Sequence, residues 1–425
     1  MVLITTKKAL KDQTIVKLDV NVGISEVPQK GRADLMNSKE FLAHSKAFWE
    51  DKIRYEGYTG GVPELYQNPE AWTGPDTDWF DVLLHTAYRK SYNVSLLSNK
   101  GKFSSSTVVG YFKEDGAVIN SGYQRYSIRN NNEYEINDNI RVGFNVAPTY
   151  QIRNNLNSVD GGQFNMVYAA TVTPPIFSPD ATNPDGSPVL KFSGPGLFTF
   201  PNWKKTAREQ TNTSKEFRAL SSMYAEVDFL KNFQFRSSVS VDFNNRTGRT
   251  FFPSTIGPII WNSPPRLATG SYGTSNSILW LTENNLSFTK TYATNHNINA
   301  LVGYSAQAFN EENSRMQGNQ FSDDLVPWLD AAANLTAWGN GLQEWSLLSM
   351  YGRLNYDYKY KYLLSLSFRR DGSSRFGAAN SWANFPSVSA GWIISDENFA
   401  DEWSVVNFLK LRAEYGESGN FNIGN

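Results

Sequence analysis

Alternation of apolar and polar side chains runs through this chain from end to end, and it constrains the fold more than any other feature. In residues 16–24, Val, Leu, Val, Val and Ile alternate with Lys, Asp, Asn and Gly. Successive side chains of a β-strand point to opposite faces, so each such segment predicts a strand with one apolar and one polar face. The pattern recurs at residues 140–146, 233–243, 362–369 and 409–415. The chain is therefore predicted to be all-β and antiparallel, with about thirteen strands.

The lengths of the strands and of their connections favour a membrane barrel. Most predicted strands have about ten residues or more, which is enough to cross a bilayer at a tilt. Tight turns are expected near residues 137–138, 231–232, 292–294 and 359–360. Long loops are expected near residues 25–88, 151–214, 248–276 and 310–344. Short turns on one rim and long loops on the other are typical of the periplasmic and extracellular sides of an outer-membrane barrel.

Composition agrees with a lipid-facing sheet. Aromatic residues make up 14% of the chain, yet its mean hydropathy is -0.46. A barrel reconciles the two values, because only alternate side chains meet lipid and aromatic rings gather at both membrane interfaces. Four tyrosines around one predicted turn fit such a girdle: Tyr356, Tyr358, Tyr360 and Tyr362. The alternative is an aromatic stripe in the core of a soluble β-protein.

Several classes of function find no support in the residues. The formal net charge of -1 gives no basic field for nucleic acid. The chain contains no cysteine, which removes disulfides and thiolate chemistry. We find no glycine-rich phosphate loop, nucleophile elbow or acid/base pair, so the sequence does not predict an enzyme.

One helix is expected in the first long loop, where Asn37 and Glu40 form a capping box ahead of Phe41.

Metal ligands are also not predicted. The three histidines, His44, His85 and His296, lie far apart in the sequence, without metal-type spacing. Two oxygen-rich segments are possible cation loops, but the second lacks the bidentate glutamate of an EF-hand, so solvated loops are the preferred interpretation. These segments comprise Asp76, Asp78 and Asp81, and Asp180, Asn183, Asp185 and Gly186.

Three segments resemble the SusC/RagA family of TonB-dependent outer-membrane proteins. Residues 2–8, VLITTKK, resemble the closing strand of the family's plug domain, and GYFKEDG at 110–116 with YSIRNN at 126–131 is similar to an early barrel hairpin. The third match is the most specific, because its parts arrive in the family's order and spacing. It comprises residues 369–376, 385–392, 409–412 and 415–420. Its motif residues are Arg369, Asp371, Gly372, Ser373, Ser374, Arg375, Phe376, Phe385, Pro386, Ser387, Gly391 and Trp392.

The resemblance implies a plugged barrel of about 22 strands, of which the thirteen predicted here form a part. Residues 1–9 are expected to end the plug domain and residues 10–425 to form the N-terminal part of the barrel. Because no signal peptide and almost no plug precede this barrel, the chain is expected to be truncated at both ends. Within the motif, turn chemistry favours charge pairing of Asp371 with its neighbouring arginines over a binding or catalytic cluster.

The function implied by the resemblance is active import across the outer membrane. Such a transporter takes up glycans or peptides together with a SusD-like surface lipoprotein, and TonB drives it through an N-terminal region absent from this chain. No cofactor is implied, and the residues do not identify the cargo or its ligands. Two alternatives stay open: a passive porin or structural barrel, and a secreted soluble β-rich binding module.

Overall fold

The computed structural model describes residues 12–156, 166–257, 264–401, 403 and 405–423. The predicted plug strand at residues 1–9 lies outside these ranges. Of the helices in the described ranges, none is both long and apolar enough to cross a membrane.

Thirteen strands form one antiparallel sheet, as the alternation predicts, and two short strands form a separate hairpin in a loop. The order in the large sheet is β1-β2-β3-β4-β5-β8-β9-β10-β11-β12-β13-β14-β15. The strands are β1 Gln13–Ser25, β2 Ala87–Lys100, β3 Phe103–Asp115, β4 Gly122–Asn137, β5 Ile140–Asn154, β6 Lys191–Phe192, β7 Phe200–Pro201, β8 Thr211–Phe229, β9 Phe233–Phe252, β10 Thr269–Tyr292, β11 His296–Phe321, β12 Ala332–Tyr358, β13 Tyr362–Ser373, β14 Trp382–Ile393 and β15 Lys410–Gly416.

Within the described ranges, five α-helices lie in the loops. They are α1 Ser38–Glu56, α2 Glu64–Gln67, α3 Trp79–Leu83, α4 Met166–Val172 and α5 Trp203–Glu209. Six short 3-10 turns lie at Gln29–Gly31, Pro69–Ala71, Leu329–Ala331, Ala378–Asn380, Ile394–Asp396 and Asn398–Ala400.

Strand register gives the sheet one apolar and one polar face. Leu18, Val94, Val109 and Ile128 lie side by side across β1 to β4 and are all exposed. The row next to it contains Asp19, Asn93, Gly110 and Ser127. Since side chains alternate along every strand, this register keeps apolar residues on one face, here called the apolar face, and polar residues on the other.

The tight turns lie where the alternation predicts them. β8 and β9, β10 and β11, and β12 and β13 are joined by turns in which two consecutive residues have positive φ. These pairs are Leu230–Lys231, Ala293–Thr294 and Lys359–Tyr360. Two left-handed residues in a row match the twist of the flanking strands, which is why such hairpins close tightly even without glycine.

Several connections differ from the predicted bounds, because backbone pairing continues past the alternating segments. The loop expected at 151–214 spans residues 155–210, and the one expected at 248–276 spans 253–268. The largest difference is at 310–344, where β11 and β12 stay paired and leave only 322–331 as a loop. Conversely, residues 394–409 between β14 and β15 are longer than a tight turn, and Leu409 precedes β15.

Candidate functional site

The described parts of the two longest connections, residues 26–86 and residues 155–156 and 166–210, fold together into one unit with its own apolar core, which we call the loop cap. One cluster of buried residues joins α3, α4 and α5, and a second joins α1 and α2. Phe177 packs against both clusters. The main cluster contains Trp79, Phe80, Leu83, Leu156, Met166, Ala169, Ala170, Phe192, Trp203 and Ala207.

The predicted capping box starts α1. Asn37 accepts a hydrogen bond from the Glu40 amide at 3.0 Å, and the Glu40 carboxylate accepts one from the Asn37 amide at 2.9 Å. The helix ends at Gly57, whose φ of 69° is favourable for glycine. The sequence prediction of this helix and its cap is confirmed.

Replacing Asn37 by alanine is expected to destabilise α1 by about 1 kcal/mol, because the Glu40 amide loses the side-chain oxygen that accepts its hydrogen bond. Hydrogen exchange of the α1 amides measures the effect. Asn68→Ala is the matched control, since Asn68 precedes a 3-10 turn without a capping hydrogen bond from its side chain. Equal exchange in both variants would contradict the role given to the capping box.

Helix α3 also begins at a residue whose side chain caps it, and it carries the core residue Trp79. Asp78 caps it by accepting a hydrogen bond from the Phe80 amide at 2.8 Å. Trp79 is 1% exposed, and its indole N–H donates to the carbonyl of Pro174 at 3.2 Å. This bond joins the first long loop to the second.

A cavity of about 520 Å³ lies between these two loops. Its walls come from three segments, residues 29–37, 76–80 and 171–175. The Thr77 amide donates to the Pro175 carbonyl at 2.9 Å, and the Ser38 amide donates to Asp76 at 2.7 Å. These bonds tie the segments to one another, so the cavity has fixed walls.

Charged groups in the cavity are close to one another and only partly paired. Arg32 forms a 2.5 Å ion pair with Asp81 and lies 3.9 Å from Asp78. Its Nε atom is buried and has no hydrogen-bond partner. Asp34 and Asp76 add two exposed carboxylates to the lining. The cavity therefore offers hydrogen-bond acceptors and one guanidinium beside apolar groups of Leu35, Met36, Phe41, Pro174 and Pro175.

The acidic segments considered as cation loops have protein partners instead. Asp78 caps α3, Asp81 pairs with Arg32, and Asp180 pairs with Lys204 at 2.6 Å. The Ser187 hydroxyl and amide donate to Asp185 and lower the pKa of its carboxyl group. Among the described residues, no three His, Asp or Glu side chains are grouped to hold a metal ion.

The motif residues between Arg369 and Phe376 lie together at the end of β13. Arg369 donates to Asp371 at 2.8 Å and to Ser349 at 3.0 Å. Arg375 stacks on Trp345 at 5.0 Å and donates to Asn422 at 2.8 Å. These contacts join β12, β13 and the segment after β15.

Other motif residues make the hairpin around this cluster compact. A Cβ atom on Gly372 would lie 2.7 Å from the Trp382 ring, so a larger residue there would require the ring to move. Ser374 exchanges hydrogen bonds with Ser346, of 2.8 and 3.0 Å, and the Phe376 amide donates to Ser373. On β14, Phe385 faces Arg369 and Ser387 contacts Ser367 at 2.6 Å.

The motif does not form a single site. Pro386 lies within β14, where its carbonyl accepts from the Glu417 amide at 3.0 Å just past the end of β15. Gly391 and Trp392 lie at the opposite end of β14, next to the tight turns. The arrangement is that of a braced hairpin with charge pairs at one end.

Sequence reasoning missed the cavity. It noted Asp76, Asp78 and Asp81, but it did not connect them with Arg32 or with residues 171–175. These segments are joined only by hydrogen bonds between distant loops, and loops without periodicity carry no signal of their contacts. The capping pattern ahead of Trp79, with Asp78 at the N-cap, is a further local signal, beside the Asn37–Glu40 capping box, that could have indicated a folded loop.

Comparison with known proteins finds TonB-dependent receptors among those similar to the chain. No protein-family model matches it. It is 30% identical over 99% of its length to the TonB-dependent receptor P26 of Formosa agariphila, and covers 41% of that protein. It is 25% identical over its full length to the TonB-dependent receptor SusC of Bacteroides thetaiotaomicron, again covering 41%. The chain thus spans less than half of these curated relatives.

The fold also has solved counterparts. A structure of the RagAB peptide importer in its closed-closed state matches 99% of the chain with a TM-score of 0.77 and 22% identity. The open-open state of the same importer matches with a TM-score of 0.79 and 21% identity. The chain covers 49% and 48% of these two structures.

Proposed function

This chain belongs to the SusC/RagA-like TonB-dependent receptors, and from that premise we propose that it forms part of an outer-membrane importer driven by TonB. The observation that carries the proposal is the two-faced sheet of thirteen antiparallel strands, with a folded loop cap on the rim opposite the tight turns. An apolar face suits lipid, and a polar face suits a lumen that holds a plug or passes cargo.

The polar face supports a lumenal role. Glu226 lies on this face with its side chain only 9% exposed, between Arg141 at 2.5 Å and Arg236 at 3.0 Å. Arg236 also stacks on Tyr224 at 4.0 Å. Such a paired wall keeps its charged groups hydrogen-bonded when water is displaced from beside it.

We propose that the cargo is an oligomeric nutrient, either a peptide or an oligosaccharide, and that the cavity in the loop cap contacts it. The composition of the cavity favours a peptide. Its carboxylates match amide N–H and amine groups and Arg32 matches carbonyl and carboxylate groups. Trp79 and Phe80 are buried, so the partly buried Phe41 is the one aromatic ring of this lining that a sugar could stack on. The relative RagAB is named a peptide importer.

Two partners follow from the proposed family function. A SusD-like surface lipoprotein would close over the loop cap and retain cargo, and TonB would supply energy from the periplasmic side. The exposed apolar residues of the β11–β12 hairpin, Leu325, Val326 and Trp328, are available surface on the loop rim.

Uptake of a fluorescent peptide by cells that express the native-length protein tests the proposal. We expect uptake to stop when a protonophore collapses the proton gradient, because TonB then transmits no energy. Continued uptake would overturn active import and favour the passive porin. A labelled oligosaccharide is measured in parallel, and its uptake in place of the peptide would reverse the choice of cargo.

The role of the cavity has its own test. Met36→Trp is expected to lower uptake about tenfold at low cargo concentration, since filling the cavity removes contacts worth about 1.4 kcal/mol. Met223→Trp is the matched control, because Met223 is similarly exposed but lies in a row with Phe144 and Val239 on the apolar face of the sheet. Equal uptake by both variants would show that cargo does not use the cavity.

A further inference from the structure

The connection between β14 and β15, residues 394–409, differs from the other connections on its rim. β8–β9, β10–β11 and β12–β13 close there with tight turns. The described part of this connection instead carries large apolar side chains that protein does not cover. They are Phe399, Trp403, Val405, Val406, Phe408 and Leu409, of which Val405 is 89% exposed.

Ring contacts place the start of this segment on the apolar face. Tyr358, Tyr362, Trp392 and Leu411 form one row of the apolar face across β12 to β15. The Tyr362 and Trp392 rings are stacked, with centroids 6.5 Å apart, and Phe399 meets Trp392 edge-on at 6.5 Å. Trp403 continues the series 6.0 Å from Phe399. The segment therefore extends the aromatic row outward and does not turn into the lumen.

Glu397 holds the segment against these rings. Its carboxylate accepts hydrogen bonds from the Tyr362 hydroxyl at 2.5 Å, the Trp392 indole at 2.9 Å and the Lys361 ammonium at 3.0 Å. These donors, the Tyr362 hydroxyl first, lower the pKa of Glu397 to about 2. The backbone amide of Ile394 donates to the Leu409 carbonyl at 2.8 Å and closes the base of the segment. The polar atoms of Tyr362 and Trp392 are thus paired with Glu397, while the large apolar side chains of the segment stay uncovered.

We propose that residues 394–401, 403 and 405–409 form an interfacial anchor that lies in the headgroup region of the leaflet next to the tight-turn rim. The inference rests on the proposed membrane barrel. Aromatic side chains with one paired polar end and one apolar end favour the membrane interface. Lipid is the fitting occupant, because the exposed side chains continue the row of Tyr358, Tyr362, Trp392 and Leu411, which belongs to the face turned toward lipid.

A spin label can locate the segment. Residues 1–425 contain no cysteine, and any cysteine elsewhere in the native-length protein is first replaced by serine, so that the introduced cysteine is labelled alone. Val405→Cys is made in the native-length protein, which is reconstituted into phosphatidylethanolamine and phosphatidylglycerol vesicles. Accessibility of the nitroxide to oxygen, which concentrates in lipid, is compared with accessibility to a water-soluble nickel chelate. Val388→Cys, on the apolar face of β14, reports the lipid environment. Leu325→Cys, 87% exposed in the loop between β11 and β12, reports water.

We expect the Val405 label to fall between the two controls, with oxygen accessibility above and nickel accessibility below that of Leu325, as the headgroup region requires. If Val388 reports lipid but Val405 is as open to nickel as Leu325, the anchor is wrong and the barrel stands. Low accessibility to both reagents at Val405 would mean that a protein covers the segment, which also overturns the anchor. If Val388 itself is open to nickel, the proposed membrane barrel fails. Preparations are compared only when their circular dichroism matches that of the unlabelled protein.

Discussion

Trp79→Ala is expected to unfold the loop cap and leave the large sheet in place. The side chain is 1% exposed, contacts the Phe192 ring with centroids 6.0 Å apart, and bonds to Pro174. Removing a buried tryptophan costs about 3–5 kcal/mol, from lost burial and the cavity that remains. The cap has a small core, so a loss of this size exceeds what its remaining contacts are expected to withstand.

Hydrogen exchange of the purified protein measures this effect by segment. We expect amides of α1, α3, α4 and α5 to lose protection, while those of the sheet keep theirs. Phe48→Ala is the control, because Phe48 is 52% exposed on α1 and its removal leaves no internal cavity. Retained protection of the cap in Trp79→Ala, or equal loss in both variants, would show that the cap does not depend on this core.

Val388→Arg and Ser389→Arg are expected to differ sharply, although the residues are neighbours on β14. Val388 lies in a row with Leu354, Leu366 and Tyr415, whereas Ser389 lies in a row with Asn355, Ser365 and Glu414. An arginine on the lipid-facing side near the middle of the bilayer costs about 2–4 kcal/mol. On the lumenal side it meets water and a carboxylate, and we expect a change near zero.

Reversible unfolding in urea, with the protein refolded into detergent or lipid, compares the two variants. The result expected is a lower unfolding midpoint for Val388→Arg and an unchanged one for Ser389→Arg. Equal destabilisation would argue that neither face meets lipid. It would favour a soluble β-protein and remove the basis for import across a membrane.

Strands β11 and β12 extend beyond the strand ends that the sequence predicted, and their outer part carries the loop between them. β12 pairs with β11 along its whole length, but with β13 only from Leu347 to Tyr358. Residues 332–346 therefore project past β13 and carry the β11–β12 loop above the rim. Leu325 and Trp328 therefore lie above the rim, where a surface partner would meet them.

The sequence by itself determined the sheet, because a strand buried on one side must alternate its side chains whatever lies beyond it. That requirement predicted the thirteen strands and which residues share a face, as in Leu18 against Asp19. It also placed the tight turns at Lys231 and Lys359, where the alternation stops and resumes. The capping box of α1 was also predictable, because Asn37 and Glu40 are three residues apart and interact within one helical turn.

Only the tertiary structure decided the ends of the strands and the shape of the loops. Apolar side chains within residues 310–344, such as Met316, Leu335 and Trp338, do not follow a regular alternation, so their pattern did not indicate strands. Backbone pairing nevertheless extends β11 to Phe321 and begins β12 at Ala332. The cavity depends on Arg32 meeting Asp81 and on Trp79 meeting Pro174, pairs far apart in the chain. Periodicity records which face a residue takes in a regular element, whereas contacts between loops depend on how distant segments pack, and no local pattern records that.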